Sequence, residues 1–105
     1  MQPTTKQAKQ IEQQYKNFRD RIRTSFPTRQ VELDKMYDYY EERLIMLPAS
    51  GIDHYHNAFP GGYIDHVSRV MDYSLEEMNL WDKRGLKVDN FTQEELLFSA
   101  AHHDL

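Results

Sequence analysis

Apolar residues recur at helical spacing in four blocks of the chain, separated by proline and glycine. The first block, residues 5–25, repeats at intervals of four, three and four, through Ile11, Tyr15, Phe18 and Ile22. This repeat follows the 3.6-residue period of an amphipathic helix. Pro27 ends the block, because a proline disfavours helical geometry in the residue before it.

The second block predicts a helix over roughly 29–47, with Thr28 as its N-cap. Its apolar and aromatic positions keep helical spacing and are expected in the core: Val31, Leu33, Met36, Tyr37, Tyr40, Leu44 and Leu47. Its carboxylates are expected on a solvated outer face, since charged side chains are mostly exposed: Asp34, Asp38, Glu41 and Glu42. We assign no chemistry to these carboxylates.

The last two blocks predict helices over roughly 63–81 and from Gln93 onwards. Thr92 and Glu95 have the spacing of a capping box, and Phe91 can pack on Leu96 as a hydrophobic staple. No stretch alternates with the period of two that strands show. The sequence therefore predicts an all-α bundle of about four helices, with an N-terminal helical hairpin over 1–52 and a second region over 53–105.

Composition narrows the class of protein. Apolar residues make up 39% and charged residues 29% of the 105 positions, which is typical of a globular domain. No apolar run reaches the roughly 20 residues that cross a bilayer, and the start lacks the apolar core of a signal peptide. Cysteine is absent. We expect a cytoplasmic protein that does not bind membranes.

Charge is distributed unevenly along the chain. Residues 1–25 hold six basic and two acidic residues, whereas the remainder holds seven basic and fifteen acidic residues. The default interpretation of the first helix is a solvated basic surface. Contact with nucleic acid is the alternative, although aromatic side chains are not interleaved with the basic ones.

Histidine and aspartate residues near the ends of two helices are candidate metal ligands. His66 lies early in the third helix, and His103 and Asp104 follow the small residues Ala100 and Ala101 at the end of the fourth. Side chains that project from facing helices build the metal sites of helical bundles. Imidazole with carboxylate suits Mn, Fe, Zn, Ni or Co, with Mg possible. Taken alone, a histidine near an apolar face is more often a core residue with a hydrogen bond.

The connection that precedes the third helix is long and carries unusual residues. His54 and His56 lie in it, followed by Pro60, Gly61 and Gly62. Loops of this length in compact domains tend to be functional or disordered, and we expect an ordered loop over a pocket. The plain alternative for His54 is loop packing. For Arg69 it is an exposed helix charge, and for His102 a surface position or a residue that orients a metal ligand.

Two segments together resemble a known family. His56-Asn57-Ala58-Phe59-Pro60-Gly61-Gly62-Tyr63-Ile64-Asp65-His66, followed by Leu96-Leu97-Phe98-Ser99-Ala100-Ala101-His102-His103-Asp104-Leu105, resembles the HD-domain superfamily of metal-dependent phosphohydrolases. The branch most similar in its first segment includes the YhaM-type 3′–5′ exoribonucleases. The resemblance covers about residues 54–105 and rests on the pair of motifs in their order.

The resemblance implies an all-helical fold and hydrolysis of a nucleotide or nucleic-acid phosphoester by metal-activated water. It implies a divalent metal ion held by His66, His103 and Asp104. It also implies that His56, together with His54 and Arg69, contacts the phosphate or assists proton transfer. The family pattern continues with a Gly-Lys pair, further helices and a last Asp ligand. We therefore expect this chain to be a fragment or a truncated relative, possessing three of the ligands.

Two other functions remain open at this level. One is a non-catalytic HD-like helical module that binds a nucleotide or a protein partner. The other is a helical interaction domain whose histidines are structural. The expected partner is a phosphorylated small molecule or nucleotide, with short nucleic acid as an alternative, and the sequence leaves the oligomeric state open.

Overall fold

The computed structural model describes residues 4–48, 59–86 and 91–103. Four α-helices form this part of the chain: α1 (Thr5–Ser25), α2 (Gln30–Met46), α3 (Gly62–Lys83) and α4 (Gln93–His102). A short 3₁₀ helix, Pro27–Arg29, joins the first two, and none of the described residues forms a strand. The predicted all-α helical bundle is thus confirmed.

Helix α1 has the predicted extent and buries the predicted stripe. Tyr15, Phe18 and Ile22 are buried, and Ile11 is half-buried. A capping box that the sequence analysis did not identify starts the helix: Thr4 Oγ1 accepts from the Gln7 backbone N–H, and Gln7 Oε1 accepts from the Thr4 N–H. This reciprocal pair satisfies two backbone donors at the helix start.

Aromatic rings join α1 to α2. The rings of Phe18 and Tyr37 meet edge to face with their centroids 5.6 Å apart. The Tyr15 hydroxyl donates to the Tyr37 backbone oxygen at 3.4 Å. Phe26, which is fully buried, follows the end of α1 and donates its backbone N–H to the Ile22 carbonyl. The aromatic stripe predicted for the second helix is therefore core at Tyr37. Two other positions expected in the core are exposed, Tyr40 by 42% and Leu47 by 40%.

The start of the second helix was predicted incorrectly. The Pro27–Arg29 turn precedes it, and Arg29, not Thr28, occupies the N-cap position, without a side-chain cap. Val31 is 65% exposed, although it was expected in the core. The reason is its phase: Leu33, Tyr37 and Leu44 are buried, and a residue two positions before Leu33 lies about 200° around the helix from it.

Charged side chains where α1 packs on α2 form buried ion pairs and are not all exposed to solvent. Arg19 is only 4% exposed. Its guanidinium donates to Asp34 at 3.1 Å and to Asp38 at 2.9 Å, and it lies 3.9 Å from Glu41. The solvated surface expected for the first helix therefore holds only for its outer face. Two basic residues of α1 instead tie that helix to α2, because Arg23 Nε also donates to Asp34 at 3.1 Å.

Local backbone and side-chain bonds set the end of α3 and the start of α4. Gly85 has φ +75°, and Leu86 donates its N–H to the Trp81 carbonyl, the bond of a Schellman C-cap. The capping box of Thr92 and Glu95 is confirmed. Phe91 and Leu96, the predicted staple pair, line the same cavity.

Contacts divide the chain into two compact units, Met1–His66 and Val67–Leu105. The core of the first contains the α1–α2 aromatic residues with Tyr63 and Ile64. The second buries Val67, Met71, Leu97, Ala100 and Ala101. Within the described parts of the chain, no helix has the length and apolar character needed to cross a membrane.

Candidate functional site

The turn that leads into α3 is held by four hydrogen bonds from neighbouring elements and from itself. Gly61 donates its N–H to the Met46 carbonyl at 3.2 Å, and Tyr63 donates to the Leu47 carbonyl at 2.8 Å. Gly62 donates back to the Phe59 carbonyl at 2.9 Å. The Gln14 side chain of α1 donates to the Gly61 carbonyl at 2.9 Å. The start of α3 is therefore fixed against both α1 and the end of α2.

Gly61 is needed at this turn for two reasons. Its φ is +81°, in the left-handed region that disfavours residues with a Cβ. A Cβ at this position would also lie 3.1 Å and 3.2 Å from the two γ-carbons of Ile11. The close approach lets the turn pack directly on α1.

Gly61→Ala is therefore expected to lower the free energy of unfolding by about 2–3 kcal/mol, combining left-handed strain with crowding. Gly85→Ala is the matched control, because Gly85 has a similar φ and no heavy atom within 4 Å of the added Cβ. We expect it to cost about 1 kcal/mol, from strain alone. Urea unfolding of both variants measures the difference, and equal costs would show that Ile11 does not confine the turn.

His66 lies in the second turn of α3, directly after this anchored start. Tyr63 and Ile64 before it and Val67 after it are buried, and His66 itself is half-buried. Its imidazole thus stands at the border of the core, where a ligand could still reach it. Arg69 is exposed, three residues further along the same helix.

His103 and His102 share one local geometry at the end of α4. Nδ1 of His103 lies 2.7 Å from the Ala100 carbonyl oxygen, and Nδ1 of His102 lies 2.8 Å from the Phe98 carbonyl oxygen. A carbonyl oxygen only accepts, so each Nδ1 donates and the lone pair of the neutral ring lies on Nε2. A backbone bond of this kind orients many metal-binding histidines.

The two histidines differ in their surroundings. The His102 ring is half-buried and packs on the Phe98 ring, with centroids 4.4 Å apart. His103 is exposed. The donor chemistry of His103 therefore fits a metal ligand that binds through Nε2, whereas His102 has a packing role.

Several predicted site residues lie outside the described residues: His54, His56 and Asp104. His66 belongs to the first compact unit and His103 and Arg69 to the second. Across residues 4–48, 59–86 and 91–103, no three histidine or carboxylate side chains form a group that could hold a metal ion. Because Asp104 is not among these residues, the three-ligand set stays a prediction.

A cavity of about 320 Å³ beside the anchored turn was not identified from the sequence. It is lined by Gln7, Gln10 and Gln14 from α1 and by the Phe59–Gly61 turn. From the sequence, only a solvated surface is expected on this helix. These glutamines are three and four residues apart, which puts their side chains on one face of the helix. This spacing was the sequence signal that could have indicated the cavity.

Comparison with known proteins gives no relative for this chain. No protein-family model, curated protein or solved structure matches it. Functional assignment therefore depends on the residues themselves.

Proposed function

We propose that the protein is a cytoplasmic, metal-dependent phosphohydrolase of the HD type, acting on a phosphoester of a nucleotide or nucleic acid. The observation that supports it best is the anchoring of the Phe59–Gly62 segment. Hydrogen bonds from Gly61, Tyr63 and Gln14 hold the start of α3, so His66 has a defined position relative to the first unit. A site that acts on a small reacting group needs such a rigid support.

In this proposal His66, His103 and Asp104 are the protein ligands of a divalent ion. Such an ion supplies Lewis acidity and lowers the pKa of water that it binds. The Ala100 carbonyl accepts from His103 Nδ1, so the neutral ring has its lone pair on Nε2, the nitrogen that would bind the ion. His56, His54 and Arg69 are proposed to contact the phosphate, and His56 also to move a proton.

Arg69 suits its proposed role through shape as well as charge. A guanidinium presents a planar fork of donors that matches phosphate oxygens. Its place on α3, three residues after His66, puts the two on neighbouring positions of one helix face. Phosphate contact by Arg69 would orient the ester relative to the ion.

The test uses protein expressed from the complete coding sequence without a histidine tag. We expect purified protein to contain a stoichiometric divalent transition metal, measured by elemental analysis. It should hydrolyse at least one member of a panel of nucleotides and short oligonucleotides. A chelator should abolish that activity, and addition of the metal should restore it.

Two outcomes would contradict the proposal. Protein without bound metal, whose melting temperature does not rise when Mn, Fe, Zn, Ni, Co or Mg is added, would favour a helical interaction domain with structural histidines. Bound metal without turnover on the whole panel would favour a non-catalytic module that binds a nucleotide or protein partner.

A further inference from the structure

The cavity between α1 and the turn before α3 has the composition of a small-molecule site. Its walls are mostly apolar, with Ile11 from the helix and Phe59 and Pro60 from the turn. Its polar groups are three glutamine side chains, and no charged side chain of the described residues lines it. Ligand pockets are typically concave and apolar, measure about 300–1,000 Å³, and have a few placed polar groups.

The hydrogen bonds of two glutamines determine what each can still offer. Gln7 Oε1 accepts from the Thr4 N–H in the capping box, so the group that Gln7 can present is its NH₂ donor. Gln14 donates its NH₂ to the Gly61 carbonyl, so its Oε1 is an available acceptor. One face of α1 thereby presents a donor and an acceptor two turns apart, with Gln10 between them.

This pattern favours an uncharged planar ring that has donors and acceptors along its edge. A glutamine amide can form paired bonds with adjacent donor and acceptor atoms, as it does with adenine N6 and N7. Phe59, which is 50% exposed, provides an aromatic surface at the cavity. Unpaired bases are commonly recognised by such a combination of stacking and edge hydrogen bonds.

We infer that this cavity is a nucleobase subsite, with the base packed on Phe59 and its edge bonded by Gln10 and its neighbouring glutamines. The inference rests on the proposed function, because it assigns the base of the nucleotide whose phosphate lies towards His66. Gly62 and His66 are separated by about 6 Å along the axis of α3, from a rise of 1.5 Å per residue. A nucleotide can therefore extend from the turn towards that histidine.

The probe is adenosine, which has a base and a ribose but no phosphate. Its binding therefore needs neither a metal ion nor hydrolysis. In a titration followed by ¹H–¹⁵N NMR, the amides of Gly61, Gly62 and Tyr63 should shift saturably at millimolar adenosine. Guanosine, cytidine and uridine measure preference among bases, and ribose 5-phosphate should not shift these amides.

Two variants test the contacts with little effect on folding, because both side chains are exposed. Gln10→Leu and Phe59→Ala should each raise the Kd for adenosine by about fivefold or more, as loss of a base contact does elsewhere. Gln13→Leu is the matched control. The Gln13 amide donates to Asn17, away from the cavity. The Kd of this variant for adenosine should therefore stay within about twofold of the Kd of the unmodified protein.

The outcomes separate this inference from the proposed function. If no nucleoside shifts the turn amides, or if Gln10→Leu and Phe59→Ala bind adenosine as Gln13→Leu does, the subsite is wrong even where phosphoester hydrolysis is found. Specific adenosine binding that the two variants weaken supports the subsite, even if no substrate is hydrolysed and the hydrolase proposal fails.

Discussion

His103→Ala is expected to reduce the chelator-sensitive hydrolysis by more than about 100-fold, whereas His102→Ala reduces it by less than about tenfold. Changes at residues that only support a metal ligand typically cost about 10–100-fold, so loss of a ligand should exceed that range. The two histidines are adjacent, and each donates Nδ1 to a backbone carbonyl of its own helix. His102 is therefore a closely matched control.

The expected difference arises from what each ring does besides that bond. The His102 ring packs on Phe98, so its removal mainly costs a local contact. His103 is exposed, and Nε2 is the nitrogen through which its ring would bind an ion. His66→Ala should resemble His103→Ala, because both remove one of the three proposed ligands.

Metal content and kcat are measured for all three variants, with circular dichroism to check that the total helical content persists. His66→Ala and His103→Ala should lose both metal and activity. The assignment would be overturned if His102→Ala lost more activity than His103→Ala, or if His66→Ala retained its full metal content.

Periodicity was sufficient to predict the helices because each buries a stripe that repeats every three or four residues. The Thr92 cap could also be predicted, since a capping box acts within a few residues of chain. Periodicity failed at Val31, where the two-residue interval to Leu33 departs from the helical period. Applying the period strictly would have placed Val31 on the outer face.

Arg19 shows why exposure could not be predicted from residue type. Charged residues are mostly solvated, and the six basic residues of 1–25 were accordingly assigned to the surface. However, Arg19 lies four residues after Tyr15 and three before Ile22, which puts it on the apolar face. Its partners, Asp34 and Asp38, come from another helix, so only the packing of α1 on α2 brings them together.

Less of the candidate site than of the fold could be predicted from the sequence. Pro60, Gly61 and Gly62 indicate a turn before the third helix, and the structure shows this turn with its bonds to α1 and α2. The cavity of glutamines depends on Gln14 reaching Gly61, a contact across 47 residues. No local pattern encodes such a contact.

Arg19→Ala is expected to lower the free energy of unfolding by about 3 kcal/mol. Removing one partner of a buried ion pair typically costs about 3–5 kcal/mol. The lower end applies here, because Asp38 and Glu41 are exposed and can be rehydrated. The guanidinium also lies over the rings of Tyr15 and Tyr37, 5.8 Å and 5.3 Å from their centroids, so packing is lost as well.

The dependence of stability on pH separates the ionic part from packing. Burial alone would raise the pKa of Asp34, but its bonds to Arg19 and Arg23 outweigh burial and hold this pKa below the ordinary value. An aspartate in an unfolded chain has a pKa of about 4. The stabilisation from the ion pairs of Asp34 is therefore complete above that pH, and it is lost as the pH falls through the lower pKa of Asp34 in the folded protein. Arg19→Ala should lessen this acid-induced loss, while Arg23 preserves part of it.

Urea unfolding near neutral pH and again at about pH 3 provides both measurements. Lys16→Ala is the control, because its pair with Glu12 at 4.0 Å is solvent-exposed and is worth less than about 0.5 kcal/mol. A cost for Arg19→Ala no greater than that of Lys16→Ala would mean that the buried guanidinium does not hold α1 on α2. A large cost with an unchanged dependence on pH would assign the stabilisation to ring packing, because pairing with carboxylates couples Arg19 to pH and ring packing does not.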